Sequence, residues 1–153
     1  MNKNEPKGQD FSLSVGGVVS HAARLLTQAL ADAQKALPLA PAQYRVLVEL
    51  WQTERLTQQE LVKKLDIEQP TVGSTINRME RDGLIRRQPH PRDGRSQVIC
   101  LTEKAKRLKI PATNAAEKIN KNVLSDFSDA EKEQFFEFLD RVISKLKRAN
   151  KNC

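Results

Sequence analysis

Residues 57–102 read TQQELVKKLDIEQPTVGSTINRMERDGLIRRQPHPRDGRSQVICLT, and the fold is decided there. Thr57, Gln58, Gln59 and Glu60 form a capping box, in which the Thr57 hydroxyl and the Glu60 carboxylate accept backbone N–H groups left free at a helix start. Leu61 and Leu65 give this short helix an apolar side. Asp66, Ile67 and Glu68 supply a turn. Pro70 opens another helix, since its missing N–H is one that a first turn does not use. That helix runs to about Asp82, and Gly83 closes it in the left-handed conformation. Residues 84–88 and 97–101 read as strands, with Ile99 and Leu101 on one face and Val98 and Cys100 on the other. Between them Pro89, Pro91 and Gly94 make a loop, and Arg86, Arg87, Arg92 and Arg95 make it positive.

Outward from this centre, Val18, Val19, Ala22, Leu25, Leu26, Ala29 and Leu30 recur at helical spacing and predict a helix from about Ser14 to Ala36. Gly16 and Gly17 weaken its first turn, so the solid helix is expected near Val18, with Pro38 ending it. Pro41 starts the next helix, expected to bury Tyr44, Leu47, Val48 and Trp51; Ala40 before it is a poor cap. Beyond the hairpin, Thr102 caps a long helix carrying Ala105, Leu108, Ala112, Ala115, Ile119 and Val123, with a kink expected at Pro111. Ser128 to Glu131 is a second capping box. The last helix places Phe135, Phe136, Leu139, Val142, Ile143 and Leu146 on its apolar side.

The fold class is therefore mainly α (α+β): a winged helix-turn-helix with flanking N- and C-terminal dimerisation helices. Residues 1–13 read as a flexible leader and 150–153 as a tail. One domain fills 14–149, with dimerisation helices over 14–37 and 103–149. The first and last helices carry more apolar surface than so small a centre covers, which implies a homodimer.

The chain has 153 residues and a formal net charge of +7, enough for one domain with a sizeable core and suited to an anionic partner. No apolar run approaches the roughly 18 residues of a membrane span, and the polar start lacks a signal core, so a cytoplasmic protein with no membrane association is expected. Cys100 and Cys153 are too far apart to imply a disulfide framework, and His21 and His90 are too scattered for a metal site. No nucleophile motif or glycine-rich phosphate loop is present, so no enzyme and no cofactor are expected.

The region 41–102 reads as a DNA-binding lobe, with the helix-turn-helix at about 57–82 and the wing at about 84–101. In the helix from Pro70, Val72, Ile76 and Met79 share the core side. Pro70, Thr71, Ser74, Asn77, Arg78 and Arg81 then look outward. Short polar groups let a helix approach a groove floor; hydroxyl, amide and guanidinium groups bond base edges or phosphates. The helix start also favours a phosphate. Arg95 is long enough to enter a narrow minor groove, where negative potential is focused. Asp93 is placed to pair with that guanidinium and hold it extended. Arg92, Arg86 and Arg87 read as phosphate contacts or surface charge. Two copies would set two reading helices on two half-sites of double-stranded DNA.

The run from Leu56-Thr57 through Glu60-Leu61, Ile67-Glu68-Gln69-Pro70-Thr71, Arg78-Met79-Glu80, Gly83-Leu84-Ile85, Arg87, Asp93-Gly94-Arg95-Ser96 and Leu101-Thr102-Glu103-Lys104-Ala105 resembles the MarR family of bacterial transcription regulators. The SlyA-type branch is the most similar. The resemblance covers nearly the whole chain. It implies a homodimer on a pseudo-palindromic operator, usually a repressor, with Asp93 and Arg95 as the wing pair and residues 71–78 in the major groove. It also implies release, in many members, by small aromatic or lipophilic anions bound between the dimer helices and the reading lobe. Two positions depart from the pattern: Gly94 stands where a long residue is often found, and Ser74 where some relatives carry a longer basic one.

Some residues carry weaker readings. His21, Tyr44 and Trp51 are the candidates for a ligand pocket, beside their plainer roles as a partly exposed histidine and core aromatics. Cys100 lacks a resolving partner near in sequence, so a redox role is the minor reading. Lys145, Lys147, Arg148 and Lys151 read as a solvated face. The alternative function, from another class, is a winged-helix protein-interaction module without DNA binding; a steep loss of affinity with salt separates the two.

Overall fold

The computed structural model describes residues 14–151; the expected leader over 1–13 and Cys153 lie outside them. The elements run α1 (Val15–Ala33), α2 (Pro41–Gln52), β1 (Leu56–Thr57), α3 (Gln58–Leu65), α4 (Gln69–Arg81), β2 (Ile85–Pro89), β3 (Gln97–Leu101), α5 (Glu103–Arg107), α6 (Lys109–Val123) and α7 (Asp129–Lys151). They divide into two compact units, with the boundary along the chain between Ala116 and Glu117.

In the first unit, Ser14 caps α1 by accepting the Gly17 N–H at 3.0 Å. The helix therefore begins at Val15 and takes in both glycines, earlier than expected. It also ends earlier, at Ala33. Gln34, 1 % exposed, anchors that end by donating from Nε2 to the Ala112 carbonyl at 3.1 Å. The poor cap Ala40 is compensated by Gln43, whose Oε1 accepts the Ala40 N–H.

The buried face of α2 is Gln43, Val46, Leu47 and Leu50. Of the four residues expected inside, only Leu47 is fully buried; Tyr44, Val48 and Trp51 are half-buried. A glutamine on the inward stripe is admissible because Gln43 Nε2 donates to Asp82 Oδ2 at 2.7 Å, so its amide is not left unpaired.

Thr57 and Glu60 form the expected capping box of α3. Asp66 ends that helix in the left-handed region at φ 56°, which a short polar side chain tolerates. Gly83, at φ 71°, ends α4 with the paired bonds of a Schellman motif: Leu84 N–H to Met79 O at 2.9 Å and Gly83 N–H to Glu80 O at 3.0 Å.

The sheet has three strands in the order β1-β3-β2, both pairings antiparallel. The short β1, with Leu56 opposite Ile99, is an addition to the expected hairpin. The core gathers Leu47, Leu50, Leu61, Ile76, Met79 and Leu84, all fully buried. After Thr102, the expected long helix is broken into α5 and α6 at Leu108. Pro111 accounts for the position, since its ring clashes with the carbonyl of Arg107 four residues back and offers it no N–H.

The second unit carries α7, started by Ser128 and Glu131. Glu131 accepts the Ser128 N–H at 2.8 Å, and Ser128 Oγ accepts the Glu131 N–H at 3.3 Å. The helix continues through residues 150 and 151, which were expected in the tail. Phe135 contacts Phe127 and Phe136 at ring-centre distances of 6.1 and 5.7 Å. Among the described residues of α7, Phe136, Ile143 and Leu146 are 58, 49 and 59 % exposed. The α1 helix buries none of its residues either, and Leu25 is 60 % exposed. Among the described residues, no helix is long and apolar enough to cross a membrane, and no group of three or more His, Cys, Asp or Glu could hold a metal ion.

Candidate nucleic-acid interface

Helix α4 is held down by Val72, Ile76 and Met79, each at most 2 % exposed; burial of such side chains stabilises by about 1.5–3 kcal/mol each. Pro70, Thr71, Ser74, Asn77, Arg78 and Arg81 are all exposed. The helix starts at Gln69, so Pro70 is its second residue rather than its first. No side chain caps this end. Thr71 O accepts the hydroxyls of Ser74 and Thr75 at 3.1 and 2.9 Å, which leaves both hydroxyl oxygens able to accept from a groove. Gly73 allows the close approach of α3: a Cβ there would stand 3.0 Å from Gln58 Nε2.

The far end of α4 is clasped by three residues from α2 and from the start of α5. Gln43 of α2 bonds the Asp82 side chain. Thr102 Oγ1 donates to Gly83 O at 2.7 Å, and Lys104 Nζ donates to Asp82 O at 2.8 Å. A lysine on terminal carbonyls also meets the negative end of the helix dipole. The sequence reading missed this clasp, whose only trace was a glutamine on an otherwise apolar stripe.

A second fastening joins α4 to the wing. Arg87 pairs with Glu80 and donates from Nη2 to Asn77 Oδ1 at 2.6 Å. Arg87 was expected to contact phosphate or carry surface charge; here it is a cross-brace, because alternation along β2 puts it on the same side as core residue Ile85 and against α4. The carbonyl of Asn77 is thereby engaged, and its amide N–H groups remain for a base or phosphate. Arg86, one residue earlier, stays exposed.

At the wing tip Arg92, Asp93, Gly94 and Arg95 are exposed. Asp93 does not hold the Arg95 guanidinium: among the described residues they form no ion pair. Its Oδ1 instead accepts the Arg95 backbone N–H at 3.0 Å, and its carbonyl accepts the N–H and hydroxyl of Ser96. The physical reason is proximity, since an aspartate reaches the backbone two residues on more readily than a long mobile side chain. His90, given no role in the sequence reading, accepts the N–H groups of both Arg92 and Asp93 on Nδ1 at 3.2 Å.

A cleft of about 280 Å³ lies beside the start of α4, lined by Thr27, Pro41, Ala42, Arg45, Val46, Leu65, Ile67, Thr71, Val72 and Thr75. It is mainly apolar with one guanidinium. The three ligand candidates are not brought into it. His21 is exposed on α1. Trp51 Nε1 donates to Ala105 O at 3.1 Å, and Tyr44 packs on Trp51 edge-on at 6.1 Å, so these aromatics join α2 to α5. Cys100 is buried in β3, its thiol donating to Gln88 Oε1 at 3.4 Å.

A core-anchored helix with a polar outer face, followed by a basic hairpin, defines a winged helix-turn-helix of the DNA-binding type. The model of the MarR family matches residues 39–97. An uncharacterised HTH-type transcriptional regulator of Bacillus subtilis, YwoH, is 30 % identical over 117 residues, covering 76 % of this chain and 85 % of that protein. The chain belongs to the MarR family. A MarR-family regulator from Listeria monocytogenes, solved with a 26-mer DNA, superposes with a TM-score of 0.81 at 25 % identity, covering 87 % of this chain and 89 % of that one. The fold is shared with Bordetella bronchiseptica BpsR, whose structure concerns regulation of DNA binding by 6-hydroxynicotinic acid (TM-score 0.79, 24 % identity, 86 and 94 % coverage).

Proposed function

We propose that the chain is a homodimeric regulator, a repressor, that binds a pseudo-palindromic operator. Helix α4 enters the major groove through Thr71, Ser74, Asn77, Arg78 and Arg81, and Arg95 enters the adjacent minor groove. Arg92 meets phosphate, as does the start of α4 at Pro70. The observation that carries this reading is the outward face of α4, polar along its length and continued by an exposed basic wing. Small aromatic or lipophilic anions enter the cleft beside α4, where Arg45 meets the charge and Val46, Leu65, Ile67 and Val72 meet the apolar body. The Listeria relative was solved with DNA, and the structure of BpsR concerns regulation of DNA binding by a small aromatic acid, 6-hydroxynicotinic acid.

Selection of bound duplexes from a random pool, with and without salicylate, tests both parts. The expected product is an inverted repeat whose binding falls steeply with salt and weakens with salicylate. Replacing Arg95 with Ala should weaken binding about tenfold or more, the scale of one lost groove contact worth about 1–3 kcal/mol. Enrichment of no sequence, with salt-insensitive binding, would sink the DNA reading and favour a protein-interaction module.

A further inference from the structure

The wing loop runs from His90 to Ser96 and closes with the His90 N–H on the Ser96 carbonyl at 3.0 Å. Inside that closure Pro91 offers no N–H. The N–H groups of Arg92 and Asp93 both end on His90 Nδ1 at 3.2 Å. The N–H of Arg95 ends on Asp93 Oδ1 at 3.0 Å. The bonds form a relay: His90 fixes the backbone at Asp93, and Asp93 fixes the backbone at Arg95. Both bonds use Nδ1 as an acceptor.

We propose that His90 is the positioning residue of the wing: through Asp93 it fixes where the Arg95 side chain leaves the loop. The inference rests on the reading of Arg95 as a minor-groove contact. Side-chain acceptors that bond the backbone two and three residues on are the usual property of Asn and Asp. In His90 the Nδ1 atom occupies the place of an asparagine Oδ1, one bond beyond Cγ. The imidazole ring itself is dispensable, and the acceptor is not.

The test uses the full chain and a duplex selected by the wild-type protein. His90→Phe keeps an aromatic ring and removes the acceptor; His90→Asn keeps the acceptor and removes the ring. His90→Phe should bind about tenfold more weakly, on the scale of a lost groove contact, and lose hydroxyl-radical protection of the minor groove at the wing while keeping protection at the α4 half-site. His90→Asn should bind within about twofold of wild type. Adding Arg95→Ala to His90→Phe should weaken binding no further, because the two act as one unit. Equal binding by wild type and His90→Phe, with Arg95→Ala still weakened, overturns the proposal and leaves the wing reading standing. Failure of His90→Asn to rescue overturns it also. Wild-type binding by Arg95→Ala overturns the wing reading, and the positioning role with it. A thermal melt of His90→Phe matching wild type separates a misplaced wing from a damaged fold; if that variant melts low, the His90→Asn comparison decides alone.

Discussion

Arg87 joins the wing to the candidate reading helix, and it is expected to act on DNA binding through the fold. It spans from β2 to Glu80 and Asn77 on α4, so the angle between reading helix and wing passes through it. Arg87→Met should weaken operator binding several-fold while leaving the salt slope unchanged, because no phosphate contact is lost; a titration at several salt concentrations checks this. Gly94 gives the opposite case. Its φ lies outside the left-handed region, and a Cβ there meets nothing within 4 Å. Gly94→Arg should therefore fold normally, tighten binding and steepen the salt dependence by about 0.9 in log–log slope for one added phosphate contact. An unchanged slope would place this position away from the DNA backbone. Residues of the α4 outer face were legible in the sequence because period 3.6 sorts inside from outside. The roles of Arg87, Asp93 and His90 were not, because each depends on where a second element or a tight loop brings a partner.

At the scale of elements, the helix starts were readable and the helix faces less so. Capping signals are local: Thr57 with Glu60 and Ser128 with Glu131 close within three residues. The face of α2 was misjudged because Tyr44 and Trp51 are large and apolar, yet the inward stripe passes through Gln43, admitted by a partner 39 residues away. The two-residue β1 has too little sequence for alternation to register. The capping box of α3 makes a prediction that acid can read. The Thr57 backbone N–H, and then its hydroxyl, hold the Glu60 carboxyl below its ordinary value. A carboxyl lowered in the folded state binds protons more weakly there than in the unfolded chain, so its stabilisation is complete above the ordinary carboxylate range and fades as pH falls through the lowered value. Glu60→Gln should lose that acid-dependent component, seen as a smaller drop in Tm between pH 7 and pH 3. Thr57→Ala should cost about 1 kcal/mol at neutral pH in a denaturant titration.

At the scale of the whole molecule, both the first and the last helix leave apolar residues uncovered in their own units. Patches of this kind mark surfaces that meet another chain. If the proposed homodimer pairs through α7, Ile143→Glu should convert it to monomers in sedimentation at micromolar concentration, and should cost far more binding on a two-half-site duplex than on a single half-site. Retention of the dimer would move the interface off α7. That dimerisation was expected at all followed from an excess of apolar residues over what a small centre can bury; how two copies pair is set by surfaces that no single-chain pattern encodes.

The clasp at Asp82 has a mechanical consequence. One end of α4 is tied by Gln43, Thr102 and Lys104, while the other has no side-chain cap and borders the cleft at Thr71, Val72 and Thr75. If a guest in the cleft displaces the start of α4 against the packing of Val72 and Ile76, the tied C-terminal end is where the helix would pivot. From Asp82 to Thr71 the arm is about 16 Å at 1.5 Å per residue, so a tilt of about 5° moves Thr71 by about 1.4 Å, half the length of a hydrogen bond. On the effector reading proposed above, a guest wedged into the cleft would push at the long end of that arm, where little force is needed and displacement is greatest.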